Sequence, residues 1–100
     1  MRIRDLPGLG AKTEQILAEI GINSLADLQA LGAINTFIKL EQKKGKKPSL
    51  NFLYALEGAL TNQHWQVIAK NQKEQLLMEL EGVKEFTKMF EQTLNHNQKS

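Results

Sequence analysis

Apolar positions along the 100-residue chain recur mostly at intervals of three and four, the spacing of one helical face. Alternating runs of the length a strand needs do not occur. The pattern predicts an all-α chain of about five helices. Before Pro7 there is room for one helical turn, Arg2 to Leu6, because proline interrupts a helix cleanly. Ile16, Leu17 and Ile20 define the first clear helix, over residues 11–20, with Leu6 and Leu9 packing beneath it and Gly21 at its C-cap. Ser24 and Asp27 form a capping-box-like start for a short helix over residues 25–31, which Gly32 ends. Ile34, Phe37 and Ile38 face inward from a third helix over residues 33–43. Ser49 caps a fourth, running to Thr61. That helix is apolar nearly all round (Leu50, Phe52, Leu53, Leu56, Leu60), so it is expected to be central, with Gly58 and Ala59 admitting a close neighbour. Residues 62–68 read as a connector holding His64 and Trp65. Asn71 reads as the cap of a long last helix with the stripe Leu76, Leu80, Val83, Phe86, Phe90 and Leu94. Gly82 lies inside that helix, and residues 95–100 read as a loose tail.

Composition narrows the class. With 41% hydrophobic and 24% charged residues the chain is expected to fold as one ordinary domain. It has no cysteine, which rules out a disulfide framework and thiolate metal sites and fits a reducing cytoplasm. No signal-like or membrane-spanning apolar run is present, so no membrane partner is expected. The net charge of +2 is small, but it is unevenly placed. Residues 1–48 carry eight Lys/Arg against five Asp/Glu, whereas residues 49–100 carry five Lys against six Glu. The basic excess therefore accompanies the N-terminal glycine turn and the run Lys43, Lys44, Lys46, Lys47.

The stretch Leu6-Pro7-Gly8-Leu9-Gly10-Ala11-Lys12 is the main chemical candidate. Glycines permit a tight reversal, and a helix starting just after it exposes unpaired amides. Two readings are open. The turn either only docks two helices, or its amides and Lys12 hold a phosphate. Both readings expect the turn to need both glycines. Lys43, Lys44, Lys46 and Lys47 either form a solvated loop or extend such a surface. No aromatic residue interleaves them, so stacking on single strands is not suggested. His64 lacks a metal-ligating or catalytic companion, and Tyr54 and Trp65 are expected in the core. No nucleophile triad, acidic pair or phosphate-loop motif appears. No enzyme activity, cofactor or metal is therefore expected. Phe86, Met89, Phe90 and Leu94, with Val83, are many apolar groups for the end of a small chain. They either close the core or form a partner or homodimer interface.

The residues Leu6, Pro7, Gly8, Leu9, Gly10 and Lys12 resemble the helix-hairpin-helix pattern, apolar-Pro-Gly-apolar-Gly-x-Lys. That resemblance implies contact with DNA backbone phosphates without sequence reading. Two features depart from the pattern: the leading helix is almost missing, and Glu14 stands where many members have a small residue. Over residues 5–80 the chain resembles the C-terminal domain of TfoX/Sxy-type competence regulators. The resemblance rests on Leu-Pro-x-Leu-Gly-x-Lys, Gly-Ile-x-Ser-x-x-Asp-Leu and Leu-Gly-Ala in order, then on residues 53–60 and His64-Trp65. It implies a compact helix-hairpin-helix or SAM-like bundle with a long amphipathic C-terminal helix, and a non-catalytic role in regulating DNA transformation. Duplex DNA or a regulatory protein is the implied partner. The expected division is a TfoX C-terminal-like domain over residues 1–81, a helical extension over 82–94 and a tail over 95–100. The start so close to the hairpin suggests a stand-alone member without the usual preceding domain.

Overall fold

A computed structural model describes residues 2–99, with side chains described for residues 2–89, and all regular structure among them is helical. A single 3-10 turn, Ile3–Asp5, precedes α1 (Ala11–Ala18), α2 (Leu25–Leu31), α3 (Ala33–Lys44), α4 (Leu50–Thr61), α5 (Trp65–Asn71) and α6 (Lys73–Lys99).

The helix starts follow from local chemistry. Ser24 Oγ accepts from the Asp27 amide at 3.2 Å, and Asp27 Oδ2 accepts from the Asn23 amide at 2.9 Å. The reciprocal cap thus reaches one residue further out than a glutamate version would. Ser49 Oγ caps α4 through the Asn51 amide at 3.1 Å. α4 ends on Asn62 in the left-handed region, and the Gln63 amide returns to the Gly58 carbonyl at 2.8 Å. This return explains Gly58 differently from the expected helix contact. A β-carbon there would collide with the backbone carbonyl oxygen of Gln63, in the chain's own connection to α5.

The connector over residues 62–68 is the main correction to the predicted helices. It contains most of α5, so Asn71 ends that helix rather than capping the next. The cause is His64, whose Nδ1 accepts from the Gln66 amide at 3.1 Å. Imidazole is not among the usual capping groups, so the start is poorly marked. The backbone of α6 is helical through Lys99, including residues expected to form a tail.

α4 packs on α2, α3 and α5, while α6 rests on α3 and α5. The core runs from Ile3, Leu6 and Leu9 through Leu17, Leu28, Phe37 and Leu40 to Leu53, Leu56, Ile68, Leu76 and Leu80. Tyr54 is buried, and Trp65 is half-buried at its edge. The N-terminal turn is thereby bound into the domain: Ile3, Leu6 and Leu9 are all core residues that hold the glycine turn against α1.

Candidate nucleic-acid interface

The turn is built from the two residues that best specify it. Pro7 presets its φ, Gly8 has a φ of 76°, and the Leu9 amide closes on the Leu6 carbonyl at 3.1 Å. Proline followed by a residue of positive φ is the type II turn. Gly10 is different. It has an extended backbone, φ −122° and ψ −172°, and a β-carbon there would meet nothing within 4 Å. The fold therefore requires glycine at position 8 and leaves position 10 free, contrary to the expectation that the turn needs both.

Gly10 supplies no side chain to cap α1, and the first helical bond is donated by Glu14 to the Gly10 carbonyl at 2.9 Å. Among the described residues the amides of Ala11, Lys12 and Thr13 have no acceptor. The Leu9 amide, in contrast, is already used, and its side chain is buried. Leu9 thus anchors the turn, while the Gly8 and Gly10 amides on either side of it also have no acceptor among the described residues. Lys12 is exposed and meets no carboxylate among the described residues.

Glu14 fastens the leading turn to α1. Its carboxylate accepts from the Arg4 amide at 3.2 Å and from Arg4 Nε at 2.9 Å, with Arg2 3.6 Å away. These hydrogen bonds from Arg4, side chain first and backbone second, hold the Glu14 carboxyl below its ordinary pKa. The departure from the hairpin pattern at this position thus has a structural use. A carboxylate clamps the short 3-10 turn where a leading helix would otherwise pack, and it also occupies the two arginines.

A groove beside the turn is lined by Gly8, Leu9, Thr13, Ser49, Phe52 and Trp65. Phe52 also floors a second groove of about 280 Å³, with Ile16, Leu40 and Pro48, which Lys44 and Lys46 rim. Lys44 pairs with Glu19 at 3.1 Å, just beyond the C-terminal end of α1. Lys44, which with Lys43 lies in the last turn of α3 rather than in a loop, and Lys12 therefore sit at opposite ends of α1, about 10 Å apart along its axis at 1.5 Å per residue. Lys43, Lys46 and Lys47 are exposed.

Of the apolar C-terminal positions, Val83 is half-buried, whereas Phe86 and Met89 are 70% and 61% exposed. The side chains of Phe90 and Leu94 lie outside the described residues. Burial, with the nearby Glu79 charge second, pushes the Glu57 carboxyl up. His64 stacks on Trp65 at 5.8 Å. No group of three metal-ligating side chains forms among the described residues, and none of their helices is long and apolar enough to cross a membrane.

The family model of the TfoX C-terminal domain matches residues 1–80. The chain belongs to that family. It is 38% identical over 82 residues to the DNA transformation protein TfoX of Haemophilus influenzae, covering 82% of this chain and 37% of that protein. It is 35% identical over 63 residues to Protein Sxy of Escherichia coli, covering 63% of this chain and 30% of that protein. The TfoX C-terminal domain chain thus spans under two fifths of the length of these curated relatives. A crystal structure of a Listeria monocytogenes protein superposes with a TM-score of 0.72 at 25% identity, covering 84% of this chain and 94% of that one. A second Listeria monocytogenes structure, described as a protein of unknown function, gives 0.67 at 28% identity, covering 75% and 91%.

Proposed function

We propose that this TfoX C-terminal domain is a non-catalytic regulatory module of DNA transformation that acts in the cytoplasm. It grips the backbone of duplex DNA through a hairpin of the helix-hairpin-helix type, within a SAM-like bundle. The observation that carries this reading is the start of α1. The amides of Ala11, Lys12 and Thr13 lack acceptors among the described residues and Lys12 is exposed there, behind a turn whose closing Leu9 amide and apolar side chains are committed to the fold. Such an end favours an anion, because the amides and the helix dipole act together. Contacts of this kind position a protein on DNA without reading bases. The name of the Haemophilus relative, a DNA transformation protein, supports the regulatory setting.

Lys43, Lys44, Lys46 and Lys47 extend the contact from the other end of α1. A single hairpin binds weakly, and two copies acting together would strengthen it by effective concentration. The test is a gel-shift titration with duplex DNA at two salt concentrations, wild type beside Lys12→Glu. Wild type should bind with a clear salt dependence. Lys12→Glu should weaken binding on every sequence and lower the salt slope by about one, with thermal stability unchanged or slightly raised, because a carboxylate suits the first turn of a helix. Absence of any shift at low ionic strength overturns the DNA reading. It would favour the rival, a protein-interaction module without DNA binding, for which the exposed Met78, Phe86 and Met89 speak.

A further inference from the structure

The outer face of α6 has a composition that selects its partner. Met78, Gly82, Phe86 and Met89 follow one another at intervals of four, four and three, so they form one stripe. Met78 is 73% exposed and Phe86 70%, while Leu76 and Leu80 on the opposite side are buried against the bundle. Glu74, Glu81 and Glu85 border the stripe on one edge and Glu79 on the other, all exposed. The helix's lysines nearest this stripe turn the other way: Lys84 pairs with Glu41 of α3 at 2.7 Å, and Lys88 lines the same crevice. The stripe is thus apolar along its centre and acidic at both edges.

Two such faces pairing with each other would set glutamate against glutamate. Like-charge juxtaposition across an interface is costly and works against that pairing. The surface that complements the stripe is the groove between α1, the end of α3 and the start of α4. Its floor of Ile16, Leu40, Pro48 and Phe52 is apolar, and its rim of Lys44 and Lys46 is basic. Lys46 has no carboxylate partner among the described residues, and Lys44 holds only the exposed Glu19 pair.

We propose that the α6 stripe of one copy seats in the lysine-rimmed groove of a second copy. Phe86 is the anchor in the groove, and the glutamate edge faces Lys44 and Lys46. The contact is heterologous, joining two different surfaces of the same chain. An aromatic anchor in a desolvated pocket is the usual centre of such an interface. This assembly does not depend on DNA binding. When it forms, it withdraws Lys44 and Lys46 from the DNA contact proposed above and leaves Lys12 open.

Sedimentation of the full chain tests this, with wild type, Phe86→Glu, Lys46→Glu and an equimolar mixture of the two variants. Wild type should associate, and more weakly at about 1 M salt than at about 0.1 M, where screening is less. Each variant alone should associate at least ten-fold more weakly. The mixture should recover a one-to-one dimer, because one variant retains the groove and the other the stripe. Both substituted positions are exposed, and unchanged thermal melting confirms that each variant is folded. Wild type that stays monomeric at high concentration overturns the proposal. So does Lys46→Glu that associates like wild type, which would point to the symmetric α6 pairing, or a mixture that stays monomeric. A missing gel shift with DNA would bear on the hairpin alone.

Discussion

Gly8 and Gly10 are separated by a single residue, yet substituting them by alanine should have very different consequences. At Gly8 the φ of 76° places alanine in the left-handed region. That costs about 1–2 kcal/mol. In a domain of this size each kcal/mol moves Tm by about 4–8 °C, so Gly8→Ala should lower Tm by roughly 5–15 °C. At Gly10 the backbone is extended and the space for a β-carbon is empty. Restricting the unfolded chain there stabilises by about 0.4–1 kcal/mol. The poorer N-cap quality of alanine offsets much of that gain, leaving a net effect within about 0.5 kcal/mol. If a phosphate approaches the amides of Ala11, Lys12 and Thr13, the new methyl group obstructs it. Losing one hydrogen bond to a charged group, about 1.5–3 kcal/mol, would then weaken DNA binding at least ten-fold. Circular-dichroism melting and gel-shift titration of both variants measure the two effects. Equal destabilisation by the two substitutions would refute the conformational argument. A stable Gly10→Ala that binds DNA like wild type would refute close approach at this turn.

Gly58→Ala should destabilise by about 2 kcal/mol in urea unfolding, because overpacking against the Gln63 carbonyl outweighs alanine's helix preference. Gly82→Ala, in open space on α6, should stabilise by up to about 1 kcal/mol in the same assay. Thr36 is fully buried and its hydroxyl has no partner in the described structure, so Thr36→Val should raise stability by about 1 kcal/mol. Glu14 has a folded pKa below its ordinary value. Its contribution is therefore present above the unfolded pKa and is lost as pH falls through the depressed folded one. The stability gap between wild type and Glu14→Gln, followed by denaturation from pH 7 downwards, should narrow below pH of about 4.

Local chemistry made much of the fold legible. Ser24 and Ser49 mark helix starts, Gly21, Gly32 and Gly45 mark stops, and each acts within a few residues of itself. α5 escaped because its cap is a histidine. In the candidate site, Pro7-Gly8 and Lys12 were legible for the same local reason. The Glu14 clamp was not, since Arg4 lies ten residues away and only folding brings the two together. On α6, spacing alone merged Leu76, Leu80, Val83 and Phe86 into one stripe. Packing against α3 and α5 separated buried Leu76 and Leu80 from exposed Phe86.

By itself, then, the sequence determined the helical class, the caps and the proline-glycine turn, because short-range sterics and hydrogen bonds decide those. Only the tertiary structure decided that Gly58 is held by its own connector and that Gly10 is free. It alone decided that one face of α6 stays in water, because each of these outcomes depends on which distant atoms arrive alongside.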